Sequence, residues 1–266
     1  MAAAALLIGL SKTGIPGAGI LPIAMAALVL PAKASTGILL PMLIAGDIFA
    51  VAFYRRHAVW KHLVALMPFA GVGIVIGYFL MGIVTDAQLK PIIGGVILVM
   101  LALNWLRSRG RLDEKIVQTI GGDGDVALPG APDDAQSPPT HVSPFRRWGL
   151  AAGIGLLGGV VTMMANSAGP IMIVYLLAMR LPKHEFIGTA AWYFLLVNCF
   201  KIPFSSGLGL INPESLAMNL ILLPMIVIGA LAGVRILRRL PEKGFTAIVQ
   251  ILAAVGAAWL VVGGLF

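Results

Sequence analysis

Two polar stretches interrupt otherwise apolar sequence, and each combines hydrogen-bond donors with residues that break a helix. In SKTGIPGAGILP (residues 11–22) a lysine and two hydroxyl residues precede glycines and a proline. In TMMANSAGP (residues 162–170) a threonine, an asparagine and a serine precede a Gly-Pro pair. Donors without nearby carboxylates suit a small anion better than a metal ion. The predicted anion ligands at the two breaks are Ser11, Lys12, Thr13, Gly14, Gly17, Gly19, Thr162, Asn166, Ser167 and Gly169.

Each break also predicts a new helix N-terminus, near Gly17 in the first stretch and near Gly169 in the second. Such termini carry free N–H groups and partial positive charge, so they attract small anions. A lysine beside them adds a whole charge. The alternative for Lys12 is a side chain that extends to the membrane surface without binding anything.

Three further polar residues lie inside apolar segments. Asp47 interrupts one of them, whereas Asn198 and Lys201 lie three residues apart in another and so share a helical face. Charged residues at membrane depth are functional candidates by default. We therefore add Asn198 and Lys201 to the predicted substrate-binding set, with extension to the surface as the alternative for Lys201. Asp47 is predicted either to form a structural ion pair with Lys12 or Lys201, or to carry a coupling proton.

The composition defines the environment of these residues. The chain has 266 residues, of which 59% are hydrophobic and 11% charged, which is typical of an integral membrane protein. In a membrane protein, a net charge of +8 indicates loop lysines and arginines that set the orientation in the membrane, and we predict no nucleic-acid partner. The single cysteine, Cys199, forms no internal disulfide, and the four histidines lack metal-ligand spacing. We find no nucleotide-binding loop or catalytic triad, and so predict no metal, no cofactor and no enzyme.

The apolar segments divide the chain into two membrane repeats, residues 1–106 and 148–266. Between them, residues 107–147 are rich in proline, glycine and charge, and we predict a polar, disordered, cytoplasmic linker there. Each segment is about long enough to cross a bilayer, which takes roughly 20 residues. The eight segments are 1–30, 34–54, 63–85, 91–106, 148–179, 186–204, 215–234 and 244–266.

Matching spacings in the two halves indicate an internal duplication. Leu30-Pro31 recurs as Leu181-Pro182, and Asp47 and Asn198 follow the two prolines at the same distance. The spacing of Pro68, Gly73 and Gly77 is repeated by Pro224, Gly229 and Gly233. We interpret this register as a repeat of four apolar segments.

Loop charges then favour an inverted arrangement of the repeats. A straight helix over residues 148–179 would be about 48 Å long, against a hydrocarbon core of about 30 Å. If this segment and residues 1–30 are re-entrant hairpins, 15 loop lysines and arginines share one face and only Lys33 and Lys90 lie on the other. We therefore predict an all-α polytopic fold of two inverted-topology repeats, each a broken re-entrant hairpin plus three transmembrane helices. Both termini lie outside a bacterial inner membrane.

The residues also resemble a known family. AGILPIAMAALVLP, ASTG, the basic loop YRRHAVWKHL and PFAGVGIVIGYFL in the first half resemble the TauE/SafE (TSUP) family of sulfite and organosulfonate exporters. SAGPIMIVYLLAMRLP and GTAAWYFLLVN resemble the matching repeat in the second half. The resemblance covers nearly the whole chain except residues 107–147.

This resemblance implies a secondary transporter that exports a small sulfur-containing anion such as sulfite or an organosulfonate. The anion would be bound near the midplane, where the two hairpin tips meet. A passive anion channel is the main alternative, and an intramembrane enzyme a more remote one. The expected partners are the anionic substrate and the lipid bilayer, and small residues such as Gly73 could pack within the chain or across a homodimer.

Overall fold

A computed structural model of the chain describes residues 1–14, 19–85, 87, 88, 95, 144–179, 181 and 183–237. The regular structure of these residues is helical. The elements are α1 (Ala2–Thr13), α2 (Ile20–Val29), α3 (Ala32–Tyr54), a 3-10 turn (Arg55–His57), α4 (Trp60–Ile83), α5 (Pro144–Ala165), α6 (Gly169–Ala178), α7 (Lys183–Gly207) and α8 (Pro213–Leu237). The predicted segments 91–106 and 244–266, and the linker as far as residue 143, lie outside the described residues apart from Gly95.

Four of these helices are long and apolar enough to cross a membrane. The spans are Lys33–His57, Trp60–Ile83, Glu185–Gly207 and Pro213–Arg235. Large apolar side chains also cover their outer surface, since Phe79, Leu220 and Ile221 are 63%, 71% and 77% exposed. Such a surface suits lipid and would be unfavourable in water. The chain is therefore an all-helical, multi-pass membrane protein, as its composition predicted.

The predicted breaks lie between α1 and α2 and between α5 and α6. In the second pair, α5 ends at Ala165, Asn166 adopts a left-handed φ of 52°, and α6 begins at Gly169 as predicted. In the first pair, α1 ends at Thr13 and α2 begins at Ile20, whereas residues 15–18 of the predicted turn lie outside the described residues. α5 begins at residue 144 instead of 148, so its first turn falls within the predicted linker.

Close helix pairing joins the two halves of the chain. α1 packs along α8, and α5 packs along α4. A methyl group on Gly229 would overlap the carbonyl oxygen of Leu6, and one on Gly73 would overlap that of Leu156. Gly73 and Gly229 are the glycines whose spacing from a preceding proline matches in the two halves, and both make the same kind of contact. Only glycine permits such an approach of two helix backbones.

The buried apolar residues form two large cores, and each core contains helices from both halves of the chain. The first joins α1, α2 and α3 to α8, through Ile8, Ala24, Leu39 and Ile226, and also includes Met81 of α4 and the end of α5. The second joins α5, α6 and α7 to α4, through Met163, Leu176, Tyr193 and Leu66. α3 and α7 pack against each other between the two cores. These two helices carry Asp47 and Asn198 to the centre of the molecule.

Candidate anion site between the two breaks

A cavity of about 90 Å³ lies between the two broken pairs, and both halves of the chain contribute to its wall. Most of the residues predicted to bind the substrate line it. These are Ser11, Lys12, Gly19, Thr162, Asn166, Ser167, Gly169 and Asn198, together with Asp47. Apolar residues such as Ile23, Leu43 and Phe194 complete the wall. The arrangement of a few polar groups in an apolar cavity is typical of a small-molecule site.

Lys12 and Asp47 form an ion pair in this wall. The Lys12 ammonium lies 2.7 Å from Asp47 Oδ1, and the Asn198 amide donates to Asp47 Oδ2 at 2.7 Å. The Asp47 side chain is fully buried, whereas that of Lys12 keeps 14% of its surface exposed. Lys12 also lies 4.4 Å from the centre of the Phe194 ring, a stabilising contact for a cation. Of the two partners predicted for Asp47, the structure therefore selects Lys12.

Lys201 is fully buried behind the second break and does not extend to the membrane surface. Its ammonium donates to the Thr162 carbonyl at 2.7 Å and to the Asn166 side-chain oxygen, and lies 3.4 Å from the Thr162 hydroxyl. The Asn166 amide in turn donates to the Thr36 carbonyl of α3 at 2.9 Å. These bonds hold Asn166 in its left-handed conformation, which is costly for a residue other than glycine.

Ser167, beside the start of α6, provides a hydroxyl that the described residues leave without a partner. The Ser167 hydroxyl is 2% exposed, lines the cavity, and has no hydrogen-bond partner in the described part of the chain. Gly169, the first residue of α6, lines the same cavity, as does Gly19 at the start of α2. Helix N-termini carry partial positive charge. A buried hydroxyl without a partner beside them favours a bound anion.

Three predicted ligands lie away from the cavity wall. Thr13 donates to the Ala230 carbonyl of α8 at 2.7 Å, so its hydroxyl joins α1 to α8. Gly14 is pressed against the backbone of Gly233. Lys201 contacts the cavity only through Thr162 and Asn166. Gly17 lies outside the described residues.

The sequence analysis did not identify some residues that shape the site. Phe194 was missed because an aromatic residue in an apolar helix carries no signal of its own. Tyr54 was missed as well; its hydroxyl donates to the Thr13 carbonyl at 2.9 Å and so supports the end of α1. Gly46 lies under the Lys12 side chain, where a methyl group would come within 3.1 Å of Lys12 Cγ. Its position immediately before Asp47 in the sequence was the signal that could have identified it.

The described residues contain no group of three or more His, Cys, Asp or Glu side chains that could hold a metal ion. The positive groups that the described residues place in the cavity wall are Lys12 and the helix starts at Gly19 and Gly169. Cys199, next to Asn198, is an exposed free thiol on the outer side of α7.

Membrane-length helices around a cavity that carries a few polar groups, placed between two broken segments, are features of membrane transport proteins. The model of the sulfite exporter TauE/SafE family matches residues 1–260, so the chain belongs to this family and the resemblance is confirmed. Membership makes the chain a membrane transporter of sulfur-containing anions. No curated protein and no solved structure matches the chain.

Proposed function

We propose that the chain is a secondary carrier that exports a small sulfur-containing anion, such as sulfite or an organosulfonate, through the cavity between its breaks. The observation that carries this proposal is the position of Lys12. Its ammonium, the unpartnered Ser167 hydroxyl and the helix starts at Gly19 and Gly169 line one cavity. Sulfite and sulfonate oxygens accept hydrogen bonds from all three kinds of donor.

Inverted repeats would supply the movement. The pairing of α1 with α8 matches the pairing of α5 with α4, as a two-fold relation between the halves requires. We infer that the two cores rock against each other about the α3–α7 contact, which exposes the cavity to one side and then the other. A membrane potential that is negative inside would favour net movement of an anion outwards.

We propose the orientation that the loop charges favour: both termini lie outside the inner membrane, and the basic loop at residues 55–62 lies on the cytoplasmic face. Single cysteines introduced at Arg56 and Lys33, in a Cys199→Ala background, test it. We expect a reagent that cannot cross the membrane to label the variant at Lys33 in whole cells and the one at Arg56 only after lysis. The opposite pattern would refute the orientation, and labelling of both from outside would refute the crossing of α3.

Binding by Lys12 is tested with the purified full-length chain and a panel of sulfite, thiosulfate, sulfoacetate and taurine. A ligand that binds the folded state raises the melting temperature. We expect at least one of these anions to do so, and Lys12→Gln to reduce its affinity by about tenfold or more, since a hydrogen bond to a charged group contributes about 1.5–3 kcal/mol. Lys61→Gln is the matched control, because Lys61 is an exposed lysine at the start of α4. Equal affinity in the two variants would exclude Lys12 as a ligand.

Exchange in proteoliposomes separates a carrier from a channel. A carrier loaded with unlabelled anion should accelerate uptake of labelled anion and saturate with concentration. Steady single-channel current without such exchange would show a passive channel instead.

A further inference from the structure

The cavity has a second property, its net charge. Lys12, Asp47 and Lys201 are the charged side chains that the structure places around it, within the described part of the chain. The remaining charged residues whose side chains are described lie at or near helix ends: Lys33, Arg55, Arg56, Lys61, Glu185, Glu214 and Arg235. Among the described residues, two lysines and one aspartate therefore set the charge around the cavity.

Within this group, Lys12 and Asp47 compensate each other across 2.7 Å. Lys201 has no carboxylate partner in the part of the chain that the structure describes. Its three acceptors, the carbonyl and hydroxyl of Thr162 and the side-chain oxygen of Asn166, are all neutral. Three acceptors match the three protons of an ammonium group. With Lys201 protonated and Asp47 ionised, the three described groups carry one uncompensated positive charge, and Asn166, which contacts Lys201, lines the cavity.

An uncompensated charge away from water is costly, and an opposite charge nearby relieves the cost. We propose that Asp47 sets the charge of the substrate: with Asp47 ionised, the site is neutralised by an anion of a single negative charge. This inference rests on the proposed function and deepens it, because it selects among sulfur anions by charge. Singly charged sulfonates fit the site, whereas a doubly charged anion would leave an excess negative charge beside Asp47.

The contact between Asp47 and Asn198 allows this charge to be changed without a change of shape. Asp47→Asn removes the carboxylate and raises the net charge of the cluster by one. Asn198→Asp places a second carboxyl group in the same contact, where the two carboxyl groups share one proton, so it changes the chemistry of the contact but leaves the net charge of the cluster unchanged. The double variant, Asp47→Asn with Asn198→Asp, moves the carboxylate from α3 to α7 and restores the original charge.

Methanesulfonate and sulfate are suitable probes, because both are tetrahedral sulfur anions and they differ by one charge at neutral pH. Their affinities for the purified full-length chain are measured by calorimetry. We expect the wild type to prefer methanesulfonate. In Asp47→Asn the affinity ratio should shift towards sulfate by about tenfold or more, since a unit charge a few ångströms away is worth more than 1.4 kcal/mol in a partly buried site. Asn198→Asp should leave the affinity ratio close to that of the wild type, because the shared proton keeps the net charge unchanged.

The double variant should regain the wild-type ratio. Because it keeps one carboxylate in this contact, it also provides a test if Asp47→Asn alone does not fold. A purely structural Asp47 would give a different result: its substitution would lower both affinities by the same factor and leave the ratio unchanged. An unchanged ratio in Asp47→Asn, or a shifted ratio in the double variant, would overturn the inference while the proposed function stands. If the wild type binds no sulfur anion of either panel, the proposed function fails first.

Discussion

Each of the two breaks lies between two helices, but the two place their lysines on opposite partners. In the first break the lysine lies on the broken pair, where Lys12 at the end of α1 meets a carboxylate of the crossing helix α3. In the second the lysine lies on the crossing helix, where Lys201 of α7 meets neutral oxygens at the end of α5. Lys12 keeps some exposed surface, whereas Lys201 is 1% exposed. The comparison separates a lysine available to a ligand from one that fixes the backbone.

Replacing each lysine by methionine tests this division of roles most directly. We expect Lys12→Met to lower the affinity for the transported anion about a hundredfold, because a charged hydrogen bond to the ligand is lost. Lys201→Met should lower it only about tenfold, through the loss of a positive charge that does not touch the anion and through a less well-held Asn166. Calorimetry on the folded variants measures both. Equal losses would mean that both lysines contact the anion, or that neither does.

The glycine contacts offer a way to test whether the two helix pairs are equivalent. Gly229→Ala and Gly73→Ala should each lower the free energy of unfolding by about 2 kcal/mol, because each methyl group meets a backbone carbonyl. Gly153→Ala is the control: it lies inside α5 with nothing within 4 Å of the added carbon, and should be neutral or slightly stabilising. Detergent-denaturation curves give the three values. A large loss in only one pair would break the equivalence.

A substitution series at Asn166 separates its backbone conformation from its side-chain bonds. Asn166→Gly keeps the left-handed φ at no steric cost but loses the bonds to Lys201 and Thr36. Asn166→Ala loses the same bonds and adds about 1 kcal/mol of strain. We therefore expect the alanine variant to be less stable than the glycine variant by about that amount. Equal stability in the denaturation assay would show that the break relaxes without strain.

The smallest effect is expected at the first break, which a neutral hydroxyl supports. Tyr54→Phe removes the donor to the Thr13 carbonyl and should cost about 1 kcal/mol of unfolding free energy. Tyr78→Phe on α4, outside this contact, serves as the reference for a lost hydroxyl. A loss at Tyr54 no larger than that at Tyr78 would show that the hydrogen bond from Tyr54 does not stabilise the first break.

The sequence predicted the helices and the second break well, because hydropathy and glycine–proline signals are local. The crossing helices α3, α4, α7 and α8 overlap the predicted spans closely, and α6 begins at the predicted Gly169. The polar residues of the breaks were identified for the same reason: hydrophilic groups in an apolar segment stand out without knowledge of the fold.

What the sequence left open depends on contacts between distant helices. It offered both lysines as partners for Asp47, and the choice of Lys12 follows from how α1 crosses α3. The three-residue spacing puts Asn198 and Lys201 on one face of α7. That spacing did not reveal that the long Lys201 side chain reaches back to α5. Helical periodicity gives neighbouring positions along one helix and carries no information about which helix lies opposite.

The pairing of α1 with α8 has a consequence for how the chain is made. Thr13 and its acceptor Ala230 lie 217 residues apart, so the end of α1 acquires this contact only after most of the protein has left the ribosome. α4 and α5 follow one another among the described helices and can pair much earlier. Contacts of such long separation form slowly. We therefore expect α1, with its lysine, to dock last, and the anion site to be completed as the final step of assembly.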